Sequence, residues 1–339
     1  MFPVKRGVPV CSQTSLGMPV LIGSQRLDVT QPIARIIQMH GQMKERAQEL
    51  TSQQLQIFGP KGCLYIHQRE LAATTPNDRR PQPGRGCGMW QPGRGRGSIS
   101  VLGSEDATTC HIIVLRHTGS GAICLAHCDG TDTENEVASI MEAINSLQNS
   151  TEGRLELHIV GGFNDERQLS QKLSQQLLRA FDNQVQEIHL VTFCVTDLNN
   201  KKNDGIHLPI IYGIAVHVKT GEIFKAKFPD HQPDEDLRLA YILAGGNMVN
   251  IYDAKQEQLN IGPYSWTPFP NVDFWLEQED KQILQCFSTS PEAEPPHFVG
   301  DIRSALLFLK EHPYPCISLF PDRKPRSYKK KNDGQWQKS

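Results

Sequence analysis

Two β-rich runs, Cys110 to Arg116 and Ala122 to Cys128, are separated only by a short polar turn around His117-Thr118-Gly119-Ser120. This spacing predicts an antiparallel hairpin and restricts which residues can face one another. A turn centred on Thr118-Gly119 makes Cys110 the direct cross-strand neighbour of His127, with Cβ atoms about 4.5–5.5 Å apart. A turn spanning Thr118 to Gly121 instead leaves His127 diagonal to Cys110. In either case alternation places Cys110, Ile112 and Val114 on one face with Ile123, Leu125 and His127. A thiol beside an imidazole can share a proton, which brings the thiol toward thiolate at neutral pH. The opposite face carries His111, Cys124 and Cys128, a conceivable metal set whose spacing matches no common zinc pattern; buried core thiols are the simpler reading.

The polar loop Gly103 to Thr109 enters the first strand. From it Ser104 can orient the ring of His127, and main-chain N–H groups near Cys110 can hold an oxyanion. Asp129 is the local carboxylate rival for the orienting role.

Strand and helix patterns alternate along the rest of the chain. A helix is expected over Pro32 to Leu50, and a second opens on a Thr133/Glu136 capping box. Further helices are expected over Asp165 to Phe181, Asp234 to Leu243 and Phe298 to Lys310, with strands at Gly62 to Ile66, Ser98 to Leu102, Arg154 to Val160, Glu187 to Thr196, Ile210 to Val218 and Glu222 to Phe228. This is an α/β chain. Residues 1–17 lack periodicity and read as an N-terminal extension. A single domain over 18–323 is interrupted at 79–97 by an arginine-rich insertion with QPGRG twice, expected to be disordered. The basic tail 324–339 is expected to be frayed.

Lys+Arg 35 against Asp+Glu 37 leaves a formal charge of −2, so a globally basic nucleic-acid binder is disfavoured. No run is apolar enough to span a membrane, and neither a signal layout nor an even cysteine framework is present among the 9 cysteines. These features point to a cytoplasmic protein, or a nuclear one, with reduced thiols.

The segments Gly-Ser-Glu-Asp-Ala-Thr-Thr-Cys-His (103–111), Ala-His-Cys-Asp-Gly-Thr-Asp (126–132), Val-Gly-Gly-Phe (160–163) and Gly-Pro-Tyr-Ser-Trp-Thr-Pro-Phe-Pro (262–270) resemble the protein N-terminal asparagine amidohydrolase family from about Met18 to Phe320. The resemblance implies hydrolysis of the side-chain amide of an N-terminal asparagine to aspartate with release of ammonia, within the N-degron pathway. It also implies a cysteine-hydrolase α-β-β sandwich like that of the cytotoxic necrotizing factor catalytic domain and the chemoreceptor glutamine deamidase. The family's Cys-His-hydroxyl triad falls on Cys110, His127 and Ser104, and no metal or organic cofactor is required.

A terminus-specific enzyme needs a partner for the substrate ammonium. Asp129 ranks first, with Glu105, Asp106 and carbonyls near Thr109 behind it. Tyr264 and Trp266 are expected either to wall an apolar pocket for the second substrate residue or to fill core. The same Cys-His chemistry permits glutamine deamidation. From other classes, an inactive adaptor for protein N-termini and an RNA-associated protein acting through the arginine-rich loop are the rival readings.

Overall fold

A computed structural model describes residues 19–76, 99–229 and 233–339. The N-terminal extension 1–17 and the insertion 79–97 lie outside the described residues. The architecture is mixed α/β. An eight-stranded sheet has the order Val249–Asn250, Glu70–Thr74, Ile123–Cys128, His111–His117, Leu155–Gly161, Ile188–Val195, Val20–Ile22, Gln25–Arg26. A five-stranded sheet orders Gln56–Ile57, Ile223–Lys227, Ile214–His217, Val101–Ser104 and Cys63–Tyr65.

Alternation along the central strands decides what covers each face of the larger sheet. Ile113, Leu115, Cys124, Ala126 and Cys128 share a core with Ile33–Met39, Thr133–Asn145 and Leu169–Asp182, the helices on one side. Ile112, Val114, Ile123 and Leu125 instead pack with Leu64, Leu102, Ile214 and Val216 of the five-stranded sheet. The layers therefore run helix, sheet, sheet, and Cys110 sits at the margin of the core between the two sheets.

The hairpin forms with the wider of its two turns. His127 pairs with Ile112, and His111 with Cys128, so His127 is diagonal to Cys110 and not directly opposite it. Thr-Gly is a weak two-residue turn, and the chain instead closes with His117 N–H donating to Ala122 O (2.8 Å) and Gly121 N–H to His117 O (2.9 Å), with Gly121 in the left-handed region (φ 70°). Because the pairing moves by two residues, the expected faces survive.

Three other expectations change. The single helix over Pro32 to Leu50 is broken at His40 into Ile33–Met39 and Gly41–Thr51. Asp132, one residue before the expected cap, receives Asn135 N–H as the helix cap. The basic tail is not frayed: Arg326–Lys330 pairs with Gln258–Ile261 on one side and Trp336–Lys338 on the other. Tyr328 and Lys330 point inward, and Lys330 Nζ donates to the carbonyl of Cys63. No helix among the described residues is long and apolar enough to cross a membrane.

A fully buried ion pair joins helix Glu235–Leu243 to strand Glu70–Thr74. Arg238 donates from Nε to Glu70 Oε1 (2.8 Å) and from Nη2 to Glu70 Oε2 (2.5 Å) and the carbonyl of Tyr65 (3.0 Å). The same carboxylate accepts the N–H of His67 (2.9 Å). Removing one partner strands a desolvated charge. Glu70→Ala should lower unfolding free energy by about 3–5 kcal/mol in urea denaturation, and a loss under about 1 kcal/mol would contradict this role.

Candidate active site

Ser104 and His127 come from different sheets. In strand Val101–Ser104, Val101 and Gly103 face outward, where the ring of Phe228 occupies the space a Gly103 side chain would need. Leu102 and Ser104 therefore face inward, and Ser104 Oγ lies 2.8 Å from Nδ1 of His127 across the interlayer. The same oxygen is 2.6 Å from the carbonyl of Ile66. A carbonyl can only accept, and a hydroxyl has one proton, so Ser104 donates to Ile66 and must accept from His127. Nδ1 carries the imidazole hydrogen, which leaves the Nε2 lone pair free. Nε2 is buried and has no hydrogen-bond partner among the described residues. Arg69 N–H donating to His127 O (2.9 Å) fixes the histidine main chain.

Cys110 immediately precedes strand His111–His117 and is partly exposed. Gly162 N–H donates to its carbonyl (2.9 Å). A Cβ on Gly161 would lie 2.5 Å from that carbonyl oxygen, and one on Gly162 would lie 2.7 Å from His111 Cε1; both glycines have positive φ. The Val160-Gly161-Gly162-Phe163 segment thus lets main chain approach Cys110 as no bulkier pair would.

Loss of hydration, reinforced by the carboxylates of Asp129, Glu294 and Glu136, pushes the Cys110 thiol well above its ordinary range. Burial also pulls His127 down to about 4. At neutral pH the resting pair is thiol and neutral imidazole, not the thiolate that adjacency alone suggests. The Nε2 lone pair is accordingly available as a proton acceptor.

The other sequence candidates divide by what already holds them. Asp129 accepts from Arg69 Nε (2.6 Å), Gln68 Nε2 (2.7 Å) and Thr131 N–H (2.9 Å). Although burial opposes it, the Arg69 guanidinium keeps this carboxyl below the usual range, so Asp129 belongs to the scaffold. Glu105 accepts Phe228 N–H (3.2 Å), and Asp106 pairs with His297 Nε2 (3.0 Å). Thr109 Oγ1 meets Thr289 Oγ1 at 2.9 Å. Tyr264 stacks on Tyr241 with ring centroids 3.9 Å apart, and Trp266 donates to the carbonyl of His312 (2.9 Å). Both lie in the core between the two sheets and their flanking elements. His111, Cys124 and Cys128 do not assemble a metal site, nor does any group of three or more His, Cys, Asp or Glu among the described residues.

Glu294 is the residue that sequence reasoning missed. It lies in the Pro-rich stretch 290–297, accepts from Ser288 Oγ (2.5 Å) and Thr108, and acts electrostatically on Cys110 and Tyr212. Burial raises its carboxyl to about 7. Nothing in its local pattern marks it, because it reaches the loop before Cys110 only through the tertiary fold.

These proton affinities give a pH signature. A thiol with a raised pKa yields thiolate in proportion to hydroxide, so iodoacetamide alkylation of Cys110 should climb about tenfold per pH unit from about pH 6 to 8. A flat rate across that interval would indicate a thiolate–imidazolium pair instead.

With this geometry in place, residues 92–338 match the family described as protein N-terminal asparagine amidohydrolase. The protein of that name from Sus scrofa is 56% identical over 320 residues, spanning 94% of this chain and 97% of that one. The Homo sapiens protein is 56% identical over 322 residues, spanning 95% and 98%. The Arabidopsis thaliana protein is 28% identical over 301 residues, spanning 81% and 80%. A match over most of the chain, at such identity and nearly full coverage, means that the chain belongs to the protein N-terminal asparagine amidohydrolase family.

Proposed function

We propose that the chain hydrolyses the side-chain amide of an N-terminal asparagine on proteins and peptides, giving aspartate and ammonia, with Cys110 as nucleophile. The observation that carries this reading is the free Nε2 of His127, held by Ser104 on the sheet face that also bears Cys110. Family membership supports the reaction, and the helix-sheet-sheet layering is in keeping with a cysteine-hydrolase sandwich.

In this mechanism His127 Nε2 takes the thiol hydrogen as Sγ attacks the side-chain amide carbon. Main-chain N–H groups at Thr109 and Cys110 receive the developing oxyanion. The imidazolium then passes its proton to the departing nitrogen, which leaves as ammonia, and a thioester remains. His127 next takes a proton from water, whose oxygen attacks the thioester carbon. Collapse expels the sulfur, which recovers the proton from His127, and aspartate is released. Ser104 holds the ring throughout, and neither a metal nor an organic cofactor enters.

Glu294 is the better partner for the substrate ammonium, because the Asp129 carboxylate is already ligated by Arg69 and Gln68. The charge of an incoming ammonium would favour the carboxylate, so that the Glu294 proton passes to solvent and the two groups form a charge-assisted bond.

Cys110→Ala should abolish ammonia release from an Asn-initiated peptide, and undiminished turnover would remove Cys110 from the mechanism. Glu294→Gln should raise KM about tenfold or more with a smaller effect on kcat, the pattern of lost ground-state binding. An unaltered KM would exclude Glu294. Parallel peptides beginning with Asn, Gln and acetyl-Asn separate asparagine from glutamine specificity; only the first should turn over.

A further inference from the structure

His111, next to the nucleophile and pointing to the opposite face, has no part in the mechanism above. Its Nε2 lies 2.7 Å from Ser174 Oγ, and that hydroxyl donates to the carbonyl of Ser170 at 2.9 Å. The Ser174 hydroxyl therefore lies between the His111 ring and the Ser170 carbonyl. Both side chains are fully buried. Burial pulls His111 down to about 3, so the ring is neutral, and a hydrogen bond with the main chain of Thr109, the residue before Cys110, opposes that shift. A neutral imidazole kept in the core, bonded to Ser174 on one side and to the main chain beside Cys110 on the other, is unusual where an aliphatic side chain would pack as well.

The surroundings tie this ring to Cys110. Space for it exists only because Gly162 has no side chain: a Cβ there would lie 2.7 Å from both His111 Cε1 and Ser170 Cβ. Gly162 N–H is the group that binds the Cys110 carbonyl. Ser170 Oγ accepts Phe163 N–H (3.2 Å), and Asp165 accepts Leu169 N–H and Ser170 N–H (2.9 Å each). The glycine pair, the first turn of helix Leu169–Asp182 and the start of strand His111–His117 are thus one hydrogen-bonded unit.

We propose that His111 and Ser174 are positioning residues for Cys110: their buried hydrogen bond fixes the nucleophile's main chain against the Gly161-Gly162 turn, and so sets the direction of its thiol toward His127. The proposal rests on Cys110 being the nucleophile, so its test reads the thiol itself as well as turnover.

The informative variant is His111→Leu with Ser174→Ala, which removes both polar partners together and leaves no orphaned donor. A purely structural role predicts wild-type thermal stability and wild-type thiol reactivity. A positioning role predicts retained stability with iodoacetamide alkylation of Cys110, mapped by mass spectrometry at about pH 8, slowed about fivefold or more, and with kcat reduced about ten- to a hundredfold at near-constant KM. Exposed Cys286 and Cys316 are internal controls whose rates should not move. If the double variant does not fold, Ser174→Ala alone should show the same slowing at Cys110. Alkylation within about twofold of wild type in a folded variant would overturn the proposal. Wild-type protein that releases no ammonia from the Asn peptide would refute the proposed reaction, while the alkylation rates would still decide the role of His111.

Discussion

The site depends on one serine proton. Because Ser104 gives it to the carbonyl of Ile66, the hydroxyl can only accept from His127, and the imidazole is held with Nε2 open. The rest of the fold secures that arrangement from several sides. Gly103 leaves room for Phe228 behind the serine strand, Ile66 N–H is held by Gly103 O (2.9 Å), and Arg69 N–H holds the histidine carbonyl. Arg69 continues outward, joining Asp129 to the carbonyls of Ile242 in the last turn of helix Glu235–Leu243 and of Gly246 beyond it. The short segment from Ile66 to Glu70 is therefore the frame of the site, with the buried Arg238–Glu70 pair as its anchor.

A neutral imidazole at His127 follows from its burial between the sheets, and a neutral thiol at Cys110 from the loss of hydration at the margin of that core. Neighbouring carboxylates disfavour the thiolate further. Such a resting state protects the sulfur from oxidation and alkylation, because thiolate is the reactive form. In the proposed reaction, nucleophilicity arises as a proton moves to His127 during attack, when both charges form together.

Much of this was legible in the sequence, for physical reasons that can be named. Cross-strand parity placed Cys110 and His127 on one face, and it tolerates a pairing shift of two residues; a shift of one would have reversed it. The turn stayed open between two alternatives because Thr-Gly does not dictate a two-residue loop, and closure is through Gly121. Strand Glu70–Thr74 escaped notice because Glu-Leu-Ala-Ala-Thr has little β-branched character, and its buried charge makes sense only with Arg238 in place. Ordered strands in the tail were hidden by composition: Lys330 is buried with its ammonium on a carbonyl, an arrangement no local pattern announces. Glu294 lies far along the chain from Cys110, and only tertiary structure brings them near. Asp129 was favoured because it follows His127 closely, but that same closeness puts it within reach of Arg69.

The protonation of His127 is the most direct test of the account. Nitrogen NMR of the labelled protein at neutral pH reports which ring nitrogen carries hydrogen. The account predicts a neutral ring protonated at Nδ1, becoming imidazolium only as the pH falls toward about 4. A ring protonated at Nε2, or an imidazolium already present at neutral pH, would contradict it.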